Sequence, residues 1–196
     1  AAGAHIDLSA KGPNGRWRVS ALATGAPGES QTLQITLDGL SRDEIAIVSG
    51  AREPGFDFDM PVSARFDLAL KPSGLVETAG GRFGFGAGYL RLDDPDHEPL
   101  LIDSISGGFA WDAAARRIRI EKTDFVAGDT RFSFAGGIDP PADGGGAWRI
   151  EGQLLDKAVY GLERRGDAPI ELTRGKLIAL ATPSEKKIRI ETFEVG

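Results

Sequence analysis

The sequence predicts an all-β protein built from antiparallel strands. Apolar and polar residues alternate with a period of two in many short runs, and most runs end in glycine, proline, aspartate or serine. A six-residue pattern also recurs, as Arg-Arg-Ile-Arg-Ile-Glu at 116–121 and as Lys-Lys-Ile-Arg-Ile-Glu at 186–191. Recurrence at a fixed spacing is typical of one supersecondary unit used repeatedly. We therefore expect repeated β-hairpins that form a curved, groove-like (taco-like) sheet.

Each alternating run predicts a strand with one apolar and one polar face, as in half-buried antiparallel sheets. In chain order the clearest runs lie at 6–11, 33–37, 66–70, 117–121, 131–134, 148–151 and 187–191. Turn residues precede both copies of the repeat, at 112–115 and 182–185. Each copy is therefore predicted to be the second strand of a hairpin, with Ile118 equivalent to Ile188 and Ile120 equivalent to Ile190.

Helix signals are few. Ser41-Arg42-Asp43-Glu44 fits a capping box, and residues 45–48 complete one short helix before Gly50. Residues 156–165, which end before Gly166, are a weaker candidate. The prediction is therefore one or two short helices.

The whole chain, residues 1–196, is interpreted as a single fragment of a longer repetitive β protein. The glycine- and proline-rich loop 139–146 is the clearest linker and marks a possible sub-boundary. Alternatively it is only a long hairpin connection, because apolar alternation resumes at Trp148.

The amino-acid composition and net charge argue against several classes of function. The chain is 41% hydrophobic, which is enough to bury a core, and its net charge is −6 without any basic cluster. This balance argues against nucleic-acid binding and against adsorption to an anionic membrane surface. There is no cysteine and no apolar stretch of the ~18–20 residues that span a bilayer, so no transmembrane segment is expected in this fragment.

No glycine motif predicts a nucleotide site. Gly84, Gly86 and Gly88 suggest a phosphate-binding loop, but such a loop must open a helix, and residues 89–92 have the pattern of a strand. We interpret these glycines as one face of a strand that permits close backbone approach or strong bending.

Catalytic and metal sites are not expected either. The acidic segment 93–98 lacks the glycine and distal glutamate of a known calcium loop, so we interpret it as a solvated turn. Residues 184–187 match Ser-x-x-Lys but lie in a turn before a strand. His5 and His97 are too few for a triad or a three-histidine zinc site. We predict a protein that is not an enzyme, with no cofactor, no metal and no catalytic residue.

The candidate functional residues are apolar. Six of them occupy alternate positions on consecutive predicted strands and are expected to share one face: Phe109, Trp111, Ile118, Ile120, Phe132 and Phe134. Two interpretations stay open. The face packs against a second layer as a closed core, or it lines an open trough.

A family resemblance rests on the segments 60–65, 81–88, 102–105, 109–120 and 128–138. Their order of glycine, turn and alternating residues resembles AsmA-like proteins of Gram-negative bacteria, specifically the YhdP-type branch, and more distantly TamB. Such proteins are long periplasmic β-structures, anchored in the inner membrane, that are thought to move phospholipid along a hydrophobic groove.

The resemblance implies that the fragment is one segment of the groove wall. Its partners would be phospholipid or another acyl-chain lipid and neighbouring repeats of the same chain. Its location would be periplasmic, with an inner-membrane anchor outside the fragment. The alternative is a structural or protein-binding β module in outer-membrane assembly, without lipid cargo.

Overall fold

The computed structural model describes residues 3–12, 15–26, 28–49, 57–91, 98–141, 146–161, 168–182, 185 and 187–196. It is 73% strand and 4% helix, and its strands pair antiparallel. The prediction of an all-β antiparallel fold is therefore confirmed.

The described residues form sixteen strands and one helix. The strands are β1 Gly3–Gly12, β2 Gly15–Thr24, β3 Gln31–Leu40, β4 Asp57–Asp59, β5 Val62–Leu70, β6 Val76–Phe85, β7 Gly88–Arg91, β8 Leu100–Ile102, β9 Ser104–Asp112, β10 Arg117–Ala127, β11 Thr130–Asp139, β12 Trp148–Leu154, β13 Ala158–Tyr160, β14 Ile170–Leu172, β15 Gly175–Thr182 and β16 Lys187–Val195. The helix α1 is Arg42–Ser49.

The chain divides into two compact units, Ala1–Ser106 and Gly107–Gly196. In unit 1 the strand order is β1-β2-β3-β5-β6, and β4, β7 and β8 form a second small sheet. In unit 2 the order is β9-β10-β11-β12-β15-β16, with β13 and β14 attached beside β11. β1 and β16 are edge strands of their units.

Loop 139–146 lies within unit 2, where it joins β11 to β12. These strands pair antiparallel from Phe134 opposite Leu154 to Asp139 opposite Arg149, which is the geometry of a long hairpin. Residues 142–145 lie outside the described part of the chain. A domain boundary at this loop, and a place for the chain in a longer repetitive protein, stay predictions.

The sheet of unit 1 separates apolar from polar side chains. Residues directly opposite in an antiparallel pair project to the same side of the sheet, so the register assigns each residue to a face. The apolar face of unit 1 comprises chiefly Ile6, Leu8, Ala10, Trp17, Val19, Ala21, Ala23, Leu33, Ile35, Leu37, Leu40, Val62, Ala64, Phe66, Leu68, Leu70, Ala79, Phe83 and Phe85. The other side is the polar face of unit 1.

One end of this apolar face holds the fully buried core. Leu40 and Val62 are buried where β3 ends and β5 begins, together with Met60 and Ile102. The small sheet packs here, because the Phe58 ring meets the Phe85 ring edge-on at 6.3 Å between centroids. The layer over the apolar face of unit 1 is therefore concentrated at one end.

A β-bulge brings Leu40 into that core. In strict alternation Leu40 would lie on the face opposite to Leu37. The register shifts between these two residues, and Gly39 has a φ of 67°, which is the left-handed conformation that glycine adopts readily.

Helix α1 begins as its capping box predicts. The Ser41 backbone N–H and Oγ donate to Glu44 Oε2 at 2.7 and 2.8 Å, and the Ile45 N–H donates to the Ser41 carbonyl at 3.0 Å. The second predicted helix, 156–165, is wrong. Residues 158–160 form β13, because Val159 and Tyr160 favour strand and the neighbouring strand β14 offers hydrogen-bond partners. Residues 162–165 lie outside the described chain.

A matched pair of glycines tests the close packing of the sheet. Gly136 and Gly152 lie opposite each other on β11 and β12. A methyl group at Gly136 would lie 1.9 Å from the Glu151 carbonyl oxygen, whereas one at Gly152 would meet nothing within 4 Å.

We expect Gly136→Ala to lower the free energy of unfolding by about 1–3 kcal/mol, because the backbone must shift. Gly152→Ala should be neutral or stabilising by up to about 1 kcal/mol. Urea denaturation measures both variants. Equal losses would show that the sheet does not have this register.

Candidate functional site

The sheet of unit 2 has one face that is almost wholly apolar. This apolar face extends across neighbouring strands through facing pairs such as Phe125 with Phe132 and Ile138 with Ile150. The apolar face of unit 2 comprises chiefly Ile118, Ile120, Thr123, Phe125, Ala127, Phe132, Phe134, Gly136, Ile138, Trp148, Ile150, Gly152, Leu154, Leu177, Ala179, Ala181, Ile188, Ile190, Phe193 and Val195. Four of the six predicted groove residues, Ile118, Ile120, Phe132 and Phe134, lie on it.

The two copies of the repeat have the same orientation. The register carries Ile118 and Ile120 of β10 onto the same face as Ile188 and Ile190 of β16, as predicted. In each copy the register shifts directly after the second isoleucine, between Ile120 and Thr123 in one and at Glu191 in the other. The sequence repeat is therefore also a repeat of strand geometry.

The predicted groove residues Phe109, Trp111, Ile118, Ile120, Phe132 and Phe134 are all half-buried rather than fully buried. Small side chains between larger ones are covered much better: Thr123 is 1% and Ala179 4% exposed. The edge strand is the most open, with Ile188 73% and Phe193 68% exposed. Within the described part of unit 2 every element is a strand, and no helix is available to cover this face.

An aromatic cluster lies at the centre of the face. The rings of Phe125 and Phe132 stack with centroids 4.7 Å apart, and the Phe134 ring lies 6.2 Å from that of Phe132. Aromatic pairs across strands contribute both to sheet stability and to the apolar surface.

Phe125 belongs to this cluster although the sequence did not predict it. Strict alternation from Ile118 and Ile120 places Phe125 on the opposite face. The bulge after Ile120 inserts one extra residue and so exchanges the faces of all that follows on β10. No glycine or proline marks this bulge in the sequence.

Phe109 and Trp111 lie two residues apart on β9 and therefore share one face of that strand. The four-residue turn after them is closed by Asp112 Oδ1, which accepts from the N–H groups of Ala114 and Ala115 at 3.1 and 3.0 Å. That both residues lie on the apolar face of unit 2 stays a prediction.

The opposite face of unit 2 is charged. Arg117 forms two ion pairs, from Nη2 to Glu151 Oε2 at 2.9 Å and from Nε to Asp139 Oδ1 at 3.4 Å. Arg149 Nη1 lies 3.3 Å from Glu151 Oε2 and 3.7 Å from Asp139 Oδ2. Gly137 permits this network, because a Cβ there would lie 2.0 Å from Arg117 Nε. Hydrogen bonds from Arg117 and then Arg149 hold the pKa of Glu151 below its usual value, and the bond to Glu151 raises the pKa of Arg117.

The apolar face of unit 1 is open at the end away from its core. A cleft of about 430 Å³ lies there, lined mainly by small and apolar side chains that include Ala23, Leu33, Leu68 and Leu70. At the β1 edge, Ile6 and Leu8 are about half exposed. Each unit thus has an apolar sheet face that its own described residues leave partly uncovered.

The glycine-rich segment only partly follows the prediction: its glycines do not form one face of a single strand, because β6 ends at Phe85 and β7 of the small sheet begins at Gly88. Phe83 and Phe85 share the apolar face of unit 1, while Gly84 lies on the polar one. Gly86 donates its N–H to the Pro61 carbonyl at 2.9 Å, and a Cβ on Gly88 would lie 1.7 Å from the Asp59 carbonyl oxygen. These glycines permit close backbone approach, and residues 88–91 form strand β7 rather than a helix.

Several polar candidates fall on undescribed residues. Of the acidic segment 93–98 only Glu98 is described, and His97 is not. Ser184 and Lys186 of the Ser-x-x-Lys match also lie outside the described chain. Among the residues that are described, no group of three or more histidine, aspartate or glutamate side chains could hold a metal ion. Nor does any helix there have the length and apolarity to cross a membrane.

Comparison with protein-family models, with curated proteins and with solved structures found no match to the chain. The AsmA-like resemblance therefore stays a proposal.

The charged network predicts a pH dependence of stability. Because the pKa of Glu151 is lowered in the folded chain, its contribution is fully present above the unfolded value of 4.5 and is lost as the pH falls through the lower folded value. We expect the free energy of unfolding to fall below about pH 4.5 and Glu151→Gln to flatten that fall. Urea denaturation at a series of pH values measures the free energy of unfolding of wild type and of Glu151→Gln.

Glu194→Gln is the matched control, since Glu194 lies on the same charged face but outside the network. An identical pH profile for wild type and Glu151→Gln would contradict the stabilising role of the network.

Proposed function

We propose that this chain is a non-catalytic wall segment that shields the acyl chains of a phospholipid or similar lipid from water. The observation that carries the proposal is the apolar face of unit 2, which is lined by aromatic and branched side chains that are half-buried or exposed. Large exposed apolar patches on soluble proteins mark sites for other proteins, membranes or apolar ligands.

The chemistry of the two faces suits an acyl chain. Lipid tails gain about 0.8 kcal/mol for each methylene removed from water, without any directional contact. Stacked Phe125 and Phe132 offer a flat apolar surface, and the charged network around Arg117 keeps the other side in water. A one-sided sheet of this kind needs no enclosed pocket, because its ligand extends across several strands.

The glycine pair on this face adds a feature of shape. Gly136 and Gly152 lie opposite each other between the pair Phe134–Leu154 and the pair Ile138–Ile150. Neither glycine has a side chain, and the direction of a Cβ at Gly152 is open. This gap runs between two rows of large apolar side chains, and we place an acyl chain along it.

The proposal extends the family resemblance. An AsmA-like segment would work in the periplasm between inner and outer membranes, would join neighbouring repeats of the same chain and would maintain the envelope. The alternative is a structural or protein-binding β module without lipid cargo. The exposed edge strand β16, with Ile188, Ile190 and Phe193 open to solvent, favours that second function.

Photo-crosslinking tests the lipid proposal. A photoreactive residue at Phe134 should label phospholipid, because Phe134 lies on the apolar face. The same probe at Arg131, on the opposite face of the same strand, should not. Mass spectrometry of the labelled protein identifies the adduct. Equal labelling at both positions, or none at either, contradicts the proposal.

Phe134→Asp separates a groove from a closed core. A carboxylate against acyl chains or core is costly without a partner. In an open groove the variant should keep its strand circular dichroism and lose bound lipid. If the variant is instead unfolded, this outcome would support a closed core and count against lipid shielding.

Filling the glycine gap is a gentler test. Gly152→Leu should fold, because the Cβ direction is open, and should reduce lipid retained in native mass spectrometry several-fold. Gly152→Ala is the control with the same backbone and a smaller side chain. A folded Gly152→Leu variant that retains lipid as well as Gly152→Ala would place the acyl chain elsewhere.

A further inference from the structure

A cleft also lies on the polar face of unit 1 rather than on an apolar face. Its volume is about 590 Å³. The polar side chains along it are Arg18, Ser20, Thr36, Asp38, Ser63, Arg65 and Arg82. It thus combines three guanidinium groups and three hydroxyl groups with one carboxylate.

Two of the arginines occupy an unfavourable position for a purely structural role. Arg65 on β5 and Arg82 on β6 are directly opposite in the register. Like charges directly opposite in a sheet destabilise it, and nothing in the pairing of these strands requires two cations at this point. The chain is acidic overall, so two facing arginines are a local exception to its charge.

The carboxylates near the cleft compensate this charge only in part. Arg65 Nε donates to Asp67 Oδ2 at 3.2 Å, which engages one edge of its guanidinium group, and Gln34 donates to the other oxygen of Asp67 at 2.7 Å. Arg18 pairs with Asp7. In the described part of the chain Arg82 has no carboxylate within ion-pair distance, so its guanidinium donors are free for a ligand.

Hydroxyl groups continue the row of donors. Thr36 lies opposite Arg65, and Ser20 lies opposite Thr36 on the next strand. Asp38, the one carboxylate of the cleft, lies opposite Arg18 and accepts a hydrogen bond from Ser63 Oγ at 3.2 Å, so it already has partners. Among the described residues, the positive charge without an ion-pair partner in this cleft therefore lies at Arg82, directly opposite Arg65.

We propose that this cleft binds a phosphate group, held by the guanidinium groups of Arg65 and Arg82 with Thr36 as an additional donor. Guanidinium forks match phosphate oxygens bidentately, and an anion between the two arginines removes their mutual repulsion. The site is separate from the proposed lipid function, because it lies on the polar face of unit 1, whereas that function rests on the apolar face of unit 2. The phosphate can belong to a soluble phosphorylated molecule or to a lipid headgroup.

Titration of the 196-residue chain with inorganic phosphate tests the site by isothermal calorimetry at low salt. Wild type should bind saturably, and Arg82→Gln should weaken the affinity at least about tenfold, as expected for loss of a charge-assisted contact. Arg16→Gln is the matched control, since Arg16 lies on the same polar face outside the cleft. The phosphate affinity of Arg16→Gln should differ from that of wild type by less than about twofold.

Arg82→Lys keeps the charge and loses the planar fork, so it should give an intermediate affinity and provides a second readout if Arg82→Gln folds poorly. Absence of saturable binding by wild type, or equal weakening by Arg82→Gln and Arg16→Gln, overturns the proposal.

Vesicle flotation identifies the source of the phosphate. The vesicles contain phosphatidylcholine with or without phosphatidic acid. Flotation that needs phosphatidic acid and is lost in Arg82→Gln supports a lipid headgroup. Phosphate binding without flotation supports a soluble phosphorylated ligand. Flotation that Arg82→Gln leaves unchanged overturns the headgroup assignment.

Discussion

The antiparallel hydrogen-bond register is the constraint on which the rest of this structure depends. Because side chains alternate along a strand, the register decides which face each residue occupies, and a slip of one residue exchanges the faces. In both units the register collects most large apolar side chains on one side, although Leu22, Ile178 and Leu180 lie on the other. The charged side chains pair with one another on the other side, as in the network around Arg117 and Glu151.

Among the register shifts of the described strands, two place an apolar side chain on the apolar face where strict alternation would not. The shift before Leu40 directs it into the core of unit 1, and the shift after Ile120 directs Phe125 into the aromatic cluster of unit 2. Each bulge also bends its strand and increases the local twist. Face assignment and bending of the sheet thus have the same local cause.

The apolar sheet faces of both units are left partly uncovered by the described residues. Few large side chains are fully buried, and they gather at one end of unit 1 around Leu40 and Met60. Elsewhere the apolar faces rely on lateral packing between neighbours such as Phe125 and Phe132. Lipid shielding by the apolar face of unit 2 and phosphate binding by the Arg65–Arg82 cleft of unit 1 are separate proposals, because they rest on different residues and different chemistry.

The sequence by itself determined the antiparallel strands, the capping box at Ser41, the equivalence of Ile118 with Ile188 and four of the predicted residues on one face. These features depend on contacts between near neighbours or on a period of two, and both are visible in the order of residues. Only the tertiary structure decided the bulge that turns Phe125, the strand at residues 158–160 and the facing of Arg65 with Arg82. Those outcomes depend on which strands pair and in which register, and pairing partners far apart in the chain leave no local pattern.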